Sequence, residues 1–149
     1  MKTFGQIIAE NRAGFQEKIL KTAQTWKGTK YQLGKKGPDK IDCSGFICVV
    51  LTEVFEVDGY NSSTMNVAKL RESNLLRTVS MPAVGDLILW AGHGGIVFGD
   101  GEFIAANSTK GVEVCSFRKG YWAAYDTANL IFRRPIFIES QSSLRNVPV

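Results

Sequence analysis

The stretch DCSGFICVVLTEVF, residues 42–55, decides the fold of this chain. Asp42 at its start is a residue type that caps helix N-termini, because its carboxylate accepts hydrogen bonds from the free backbone amides of the first turn. The residues that follow are apolar apart from two hydroxyl side chains and one glutamate, and a run of about 13 residues is long for a strand. The stretch therefore predicts a buried helix over Cys43–Phe55.

Further helices and a loop are predicted around this stretch. Apolar residues spaced by three, four and seven positions predict an amphipathic helix over Phe4–Trp26, which Gly14 could break in two. Residues Lys27–Ile41 show no period and are rich in glycine and lysine, so they predict a loop. Beyond the buried helix, Asp58–Ser63 predicts a turn and Thr64–Arg71 a short helix.

The second half of the chain changes to short runs of strand-forming residues separated by glycine-containing turns. These runs are Asp86–Trp90, Gly95–Phe98, Glu102–Ala106, Val112–Phe117 and Ala128–Arg133. Gly99-Asp100-Gly101 predicts a tight hairpin, since Asp-Gly favours the positive φ angles of such turns. Helices followed by an antiparallel meander indicate an α+β fold, with one domain over residues 1–139 and a polar tail at 140–149.

Composition excludes several classes of protein. The chain has 149 residues, is 44% hydrophobic and carries a formal net charge of +4, which is typical of a single globular domain and not of a disordered segment. Its three cysteines, Cys43, Cys48 and Cys115, form neither a disulfide scaffold nor the close pairs of a zinc site, so we expect no metal and no cofactor. The basic residues are scattered and match no nucleic-acid motif, so nucleic acid is not an expected partner.

The N-terminal segment shows no targeting signal. Charged residues interrupt residues 1–20, which leaves no apolar stretch long enough for a signal-peptide core or a membrane span. We therefore expect the chain to be synthesised in the cytoplasm without a signal peptide. We also expect it to be a monomer.

Cys43 and His93 carry the strongest chemical signal. Cys43 follows the predicted cap and lies in the first turn of a helix, where free amides and the helix dipole favour a thiolate. The small and polar residues that flank it are not what core packing requires, whereas Cys48 and Cys115 suit small buried hydrophobic positions. His93 is the single histidine of the chain and stands among glycines that would leave it unscreened, so only its imidazole could serve Cys43 as a base.

The order and spacing of several motifs resemble the NlpC/P60 family of cell-wall cysteine peptidases. The motifs are Tyr31-Gln-Leu-Gly34, Pro38, Asp42-Cys43-Ser44-Gly45-Phe46, Gly85-Asp86-Leu87-Ile88-Leu89-Trp90, His93-Gly-Gly-Ile96-Val-Phe-Gly99-Asp-Gly101-Glu-Phe103-Ile104 and Gly120-Tyr121-Trp122. The resemblance implies a papain-like fold in which the nucleophile helix packs on a small antiparallel sheet or barrel. It also implies hydrolysis of the bond between γ-D-glutamate and a diamino acid, commonly meso-diaminopimelate, in peptidoglycan stem peptides.

The resemblance further implies roles for individual residues. Cys43 would be the nucleophile, and His93 the general base that later protonates the leaving amine. Asp42 and Ser44 would lie near the free amino group of the substrate or near the scissile region. Tyr31 would wall the site and place its hydroxyl near the developing oxyanion, with the backbone amide of Cys43 as the other donor.

Two departures from the family pattern concern catalysis and specificity. Family members usually carry a polar residue, often histidine, about twelve positions after the catalytic histidine, and this chain has Ala105 there. Asn107 lies two residues further, on the same face of a strand, so we interpret it as the orienting residue, with capping of the 107–109 turn as the alternative. Lys35 stands where relatives often have glycine, and we interpret it as a contact for a stem-peptide carboxylate, with a solvated loop lysine as the alternative.

Three functions remain open at this point. The first is a single-domain peptidoglycan endopeptidase, and the second is a CHAP-like N-acetylmuramoyl-L-alanine amidase with a similar Cys–His layout. The third is a degenerate cell-wall-binding module that has lost turnover through Ala105. A delivered effector or lysis protein would act on the periplasmic or extracellular wall and would have an immunity or inhibitor protein as a partner. A recycling enzyme would act on wall fragments in the cytoplasm.

Overall fold

The computed structural model describes residues 1–56, 60 and 65–138 and shows helices packed on an antiparallel sheet. The helices are α1 (Phe4–Thr25), α2 (Cys43–Phe55), α3 (Val67–Glu72) and α4 (Tyr121–Ala124). The strands are β1 (Lys30–Tyr31), β2 (Lys40–Ile41), β3 (Leu76–Val79), β4 (Leu87–Leu89), β5 (Gly94–Gly99), β6 (Glu102–Asn107), β7 (Gly111–Ser116) and β8 (Ile131–Pro135). The predicted α+β class is confirmed.

Helix α1 runs unbroken through Gly14. It begins with a reciprocal cap, in which the Thr3 hydroxyl accepts from the Gln6 amide at 3.1 Å and the Gln6 side chain accepts from the Thr3 amide at 2.7 Å. Glycine in a helix interior costs roughly 1 kcal/mol relative to alanine. Burial of Ile19 and Ala23 in the core shared with α2 offsets this cost, so the break predicted at Gly14 does not occur.

Helix α2 has the predicted bounds and the predicted cap. The Asp42 carboxylate accepts a hydrogen bond from the Gly45 amide at 2.7 Å, which satisfies one of the free donors of the first turn. The helix ends where Glu56 takes a left-handed conformation with φ 54° and donates its amide to the Thr52 carbonyl. Most of α2 is buried, as expected for a helix without a charged face.

The main sheet has six antiparallel strands in the order β3-β8-β4-β5-β6-β7. Strands β4 to β7 form the predicted meander, and Gly101 adopts φ 72° in the tight turn between β5 and β6. The last strand returns to lie between β3 and β4, so it is an interior strand next to the edge strand β3. Strand β3 was not predicted, and β8 occupies Ile131–Pro135, three residues later than the predicted start at Ala128.

Some local predictions need correction. The predicted loop Lys27–Ile41 contains β1 and β2, which pair in parallel through only two residues each. Helix α3 begins at Val67, capped by Asn66, and the predicted start at Thr64 lies outside the described residues. Most of the predicted turn Asp58–Ser63 and the predicted tail 140–149 lie outside the described residues.

Two glycines of β5 let this strand pack closely against its neighbours. A Cβ atom on Gly94 would lie 2.7 Å from the Leu89 side chain and 3.2 Å from that of Ile47, which belongs to α2. A Cβ atom on Gly95 would lie 2.7 Å from the carbonyl oxygen of Ile104. Both glycines are buried, so they serve the packing of β5 between its neighbours and do not leave His93 unscreened.

Strand β8 carries the adjacent arginines of the sequence into the interior. Arg134 donates from Nε and Nη2 to the two carboxylate oxygens of Asp86, at 2.7 and 2.8 Å. Arg133 donates to the backbone carbonyls of Arg71, Ser73 and Leu76. These two side chains therefore hold β8 against its neighbours instead of forming a basic surface patch.

Candidate active site

Cys43 lies at the first position of α2, where the sheet meets the helix. Its side chain is mostly buried, and the backbone amide of Gly94, the residue that follows His93, is close enough to the thiol to influence its pKa. Burial is the largest influence on the thiol and raises its pKa, and the nearby Asp42 carboxylate raises it further. Backbone amides of Gly94, Ser44 and Cys43 act in the opposite direction.

This result corrects one sequence expectation. The helix start was expected to activate Cys43 by favouring its thiolate, yet the pKa of the thiol lies above its usual value. The cap residue that creates the helix start is itself an anion, and the site is poorly hydrated. Cys48, one and a half turns further along α2, has its pKa raised to about 12 by burial, which agrees with a purely structural role.

His93 is covered by aromatic rings. Its imidazole stacks on Trp122, with ring centroids 4.5 Å apart and planes inclined by 14°, and Trp90 lies on a parallel plane at 5.8 Å. Burial lowers the His93 pKa to about 4, and a hydrogen-bonding interaction with Asn107 opposes this shift. The expectation that neighbouring glycines leave His93 unscreened is met only in part: the residue is half-buried, because Trp122 from α4 stacks on its imidazole while exposed Gly92 lines the same cavity.

Asn107 closes strand β6 and is 4% exposed. Its amide nitrogen donates to the Glu113 carboxylate at 2.9 Å and lies 3.2 Å from the Cys115 sulfur. Neither its Oδ1 atom nor Nε2 of His93 has a well-aligned hydrogen-bond partner within residues 1–56, 60 and 65–138, and both atoms are buried. The side-chain hydrogen bonds of Asn107 go to β7 and not to the 108–109 turn.

A cavity of about 580 Å³ opens beside His93, within the range of small-molecule sites. Tyr31, which the resemblance placed in the site, lines this cavity, and burial together with the charge of Cys43 raises its pKa. The other lining residues are Gly92, His93, Asn107, Ser108, Thr109, Glu113, Tyr121, Trp122 and Tyr125. The structure therefore brings Tyr31, His93 and Asn107 to one cavity, with Cys43 close enough to Tyr31 to influence its pKa.

Asp42 and Ser44 are held by a lysine that the sequence did not single out as their partner. The Lys36 ammonium lies 3.0 and 2.9 Å from the two Asp42 carboxylate oxygens and 3.2 Å from the Ser44 hydroxyl. The Asp42 side chain is only 6% exposed, whereas that of Lys36 is 30% exposed. An ammonium group thus already occupies the polar atoms next to Cys43.

Lys35 lies elsewhere. It lines a separate cavity with Gln32, Gly37, Asp39 and Lys40, while its backbone carbonyl accepts from the Asp42 amide at 2.8 Å. The structure does not bring its side chain to the cavity of His93, so contact with a substrate carboxylate at this position stays a prediction.

Sequence reasoning missed Glu113, the stacking of Trp122 on His93 and the contact of Lys36 with Asp42. Trp122 belongs to the Gly120-Tyr121-Trp122 motif, which was noted only as part of the resemblance. Glu113 lies directly opposite Ala105 in the β6–β7 pairing, and this register could not be deduced without knowing the turn at 108–110. Lys36 reaches Asp42 because it forms an isolated antiparallel bridge with Ile41, the residue before Asp42.

The Cys43 thiol and the His93 imidazole have pKa values that are shifted in opposite directions. The thiol and the imidazole are both neutral near pH 7, since burial raises one pKa and lowers the other.

No group of three or more His, Cys, Asp or Glu side chains that could hold a metal occurs among the described residues. Within the same part of the chain, no helix is both long and apolar enough to cross a bilayer.

Comparisons with known proteins find relatives that are named as endopeptidases of murein and peptidoglycan. The murein DD-endopeptidase MepS/murein LD-carboxypeptidase of Escherichia coli (strain K12) is 32% identical over 129 residues, which cover 80% of this chain and 64% of that protein. The probable peptidoglycan endopeptidase LytE of Bacillus subtilis (strain 168) is 31% identical over 116 residues, or 70% of this chain and 31% of that protein. The chain therefore spans less than two thirds of the length of either relative.

A solved structure and a family model complete the comparison. The crystal structure of the NlpC/p60 domain of the peptidoglycan hydrolase SagA superimposes with a TM-score of 0.62 at 28% identity, covering 80% of this chain and 97% of that domain. The model of the NlpC/P60 family matches residues 28–130, which include Tyr31, Cys43, His93 and Asn107. This chain belongs to the NlpC/P60 family.

Proposed function

We propose that the chain is a peptidoglycan hydrolase, a cysteine endopeptidase that cleaves stem peptides between γ-D-glutamate and meso-diaminopimelate. The observation that carries the proposal is the cavity that His93, Tyr31 and Asn107 line together, with the thiol of Cys43 close enough to Tyr31 and to the Gly94 amide to share in their electrostatics. Membership of the NlpC/P60 family and two relatives named as endopeptidases support the reaction class.

In the proposed reaction His93 takes the proton from Cys43, and the resulting thiolate attacks the carbonyl carbon of the scissile amide. The carbon–sulfur bond forms as the carbonyl electrons move to oxygen, where the Cys43 backbone amide and the Tyr31 hydroxyl are candidate donors. The protonated His93 then gives its proton to the leaving amine, and the carbon–nitrogen bond breaks. Water, deprotonated by His93, hydrolyses the thioester and regenerates the thiol.

The neutral resting state has a consequence for this reaction. A thiol with a raised pKa and an imidazole with a lowered pKa form an ion pair less readily than an exposed pair would. Substrate must therefore assist the transfer, by filling the cavity and by placing its carbonyl where the new charge can be stabilised. Trp122 contributes by stacking on the imidazole and fixing its plane.

The experiment is mass spectrometry of diaminopimelate-type peptidoglycan, pre-digested to soluble muropeptides and incubated with the protein. We expect cleavage after γ-D-glutamate with the wild type and none with Cys43→Ala or His93→Ala. Cys48→Ala is the matched control, because it removes another thiol of the same helix, one whose pKa burial raises to about 12. Cleavage that persists in Cys43→Ala would remove Cys43 as the nucleophile.

The same products separate the alternatives. The name of the first relative, a DD-endopeptidase, favours an alternative bond, which lies between two D-configured centres of a cross-link. Cleavage of that bond would release uncleaved stem peptides from dimers. Loss of the whole stem peptide would identify a CHAP-like amidase. Binding of muropeptides with no product would identify a degenerate binding module.

A delivered effector or lysis protein is our proposal for the biological role. A copy carrying an export signal should then lyse the host when directed to the periplasm, and coexpression of an immunity or inhibitor protein should protect the cells. Harmless periplasmic expression of a protein that is active in solution would contradict this role. In that case we would assign the chain to the turnover of cytoplasmic wall fragments.

A further inference from the structure

Three residues of the β6–β7 pair share one face beside His93. Ala105 lies directly opposite Glu113, so their side chains leave the sheet on the same side. Asn107 lies two positions from Ala105 along β6, and alternate residues of a strand also share a face. Ala105 presents only a methyl group, which leaves room for the Glu113 carboxylate to reach along the sheet to the Asn107 amide.

The contact with Glu113 determines which way the Asn107 amide points. A carboxylate can only accept hydrogen bonds, so the group that faces Oε1 of Glu113 at 2.9 Å must be the amide nitrogen. The amide oxygen then points to the opposite side. That oxygen is buried without a well-aligned partner among the described residues, and so is Nε2 of His93.

We propose that Glu113 is a positioning residue for His93, which holds the Asn107 amide so that its oxygen accepts a hydrogen bond from Nε2–H of the imidazole. The proton on Nε2 leaves Nδ1 as the nitrogen that can accept a proton from the thiol. The proposal rests on the proposed function for its catalytic consequence, but the tautomer itself is a property of the protein alone.

The alternative amide orientation shows why a carboxylate is needed. If the Asn107 amide turned by 180°, its NH₂ group would face Nε2 and would favour the tautomer with the proton on Nδ1. That tautomer cannot accept the Cys43 proton at Nδ1. With Ala105 at the position that is usually polar in the family, the orientation depends on Glu113 and on the weaker acceptor Cys115.

Other titratable groups surround the imidazole. They are Cys43 from α2, Tyr31 from β1, Glu113 from β7, Tyr121 from α4 and Tyr125 immediately after α4. Of the carboxylates, Glu113 is the one that shares the cavity with His93 among the described residues. A variant of Glu113 therefore changes a single carboxylate near the imidazole.

The test uses nitrogen NMR of the full chain, labelled with ¹⁵N in its single histidine. At pH 7.5 we expect the wild type to show separate shifts for a protonated Nε2 and an unprotonated Nδ1. In Glu113→Ala the two shifts should move towards each other, because both tautomers become populated. Glu113→Gln should restore the wild-type pattern, since its amide oxygen can replace the lost acceptor.

Cys115→Ala is the matched control, because it removes the other group that contacts the Asn107 nitrogen and leaves Glu113 in place. We expect it to keep the wild-type tautomer. Wild-type shifts in Glu113→Ala would overturn the proposal, and so would equal disturbance by Glu113→Ala and Glu113→Gln. Circular dichroism on each sample establishes that the fold is intact.

Turnover of muropeptides provides the second readout. We expect Glu113→Ala to lower kcat about 10-fold, less than the ~10²–10⁴-fold that a general base contributes, and Glu113→Gln to recover most of it. A wild type that cleaves no peptidoglycan would contradict the proposed function, while the NMR result would still decide the role of Glu113. The two proposals can thus fail separately.

Discussion

The Asp86–Arg134 pair and the His93–Asn107 pair are both buried, and they differ in how well their polar atoms are satisfied. Asp86 receives two hydrogen bonds from Arg134, at 2.7 and 2.8 Å, and a third from the Ala83 amide at 2.7 Å. His93 and Asn107 each keep one buried polar atom without a well-aligned partner among the described residues. The first pair joins β8 to the start of β4, and the second faces the cavity.

This difference distinguishes structural from functional polar groups. A buried charge that is fully hydrogen-bonded contributes a fixed geometry, because any other arrangement leaves it unpaired. Unsatisfied atoms beside a cavity destabilise the fold slightly but remain available to a ligand. The pKa values of Cys43 and His93 are both shifted, and His93 belongs to the pair with unsatisfied atoms. Shifted pKa values are common at functional sites.

The largest effect is expected from breaking the satisfied pair. Asp86→Ala leaves the Arg134 guanidinium buried without its anion, and this should lower the free energy of unfolding by about 3–5 kcal/mol. Urea denaturation measures the loss. Asp100→Ala is the control, since its ion pair with Arg118 is exposed and should matter little. Equal losses for the two variants would show that the buried pair is not the stronger one.

The next effect concerns His93 and pH. An imidazole in the unfolded chain titrates near pH 6.5, whereas burial lowers the His93 pKa to about 4 in the folded chain. Between these values the unfolded chain binds more protons, so stability falls as the pH drops from 6.5 to 4, by up to about 3 kcal/mol. Urea denaturation across this range should show that His93→Gln lacks this component. Parallel pH curves for the two proteins would exclude a buried neutral imidazole.

The third prediction concerns the reactivity of Cys43, which depends on the charges around its thiol. Asp42→Asn keeps a good helix cap but removes the anion that raises the Cys43 pKa, so alkylation should begin at lower pH. Iodoacetamide labelling followed by peptide mass spectrometry measures each cysteine separately. Cys115 is the internal reference, because Asp42 does not contribute to its pKa. An unchanged or higher apparent pKa of Cys43 would contradict the assigned cause.

The smallest effect on stability is expected at Lys36. Lys36→Met should change the free energy of unfolding by less than about 1 kcal/mol, because the lysine is partly exposed and Asp42 keeps its bonds from the Gly34 and Gly45 amides. Arg134→Met is the matched variant and should cost several times more. If Lys36→Met lowered the free energy of unfolding as much as Arg134→Met, the Lys36–Asp42 pair would be as important for stability as the Arg134–Asp86 pair.

The same variant reports on substrate choice. In the wild type, an ammonium already occupies Asp42 and Ser44, so a substrate amine has to displace Lys36. We expect Lys36→Met to raise kcat/KM for stem peptides with a free amine more than for N-acetylated ones. A constant ratio of the two values would indicate that the substrate amine does not bind at Asp42.

Much of the framework was predictable because its signals are local. The helix Cys43–Phe55 follows from one cap and one apolar run, and the turn at residues 99–101 follows from Asp-Gly. Strand β3 was missed because Leu76–Val79 has two exposed residues and pairs only with β8, almost 60 positions away. The predicted break at Gly14 failed because packing against α2 outweighs the low helix propensity of one glycine.

The sequence by itself determined the α+β class, the family resemblance and the candidate pair Cys43 and His93, since each depends on residue types at short spacings. Only the tertiary structure decided that Trp122 covers His93, that Lys36 holds Asp42 and that Glu113 lies behind Asn107. It also decided that the Cys43 pKa is raised and not lowered. The physical reason is that burial, strand register and neighbouring charges depend on residues that are distant along the chain, so local sequence patterns do not reveal them.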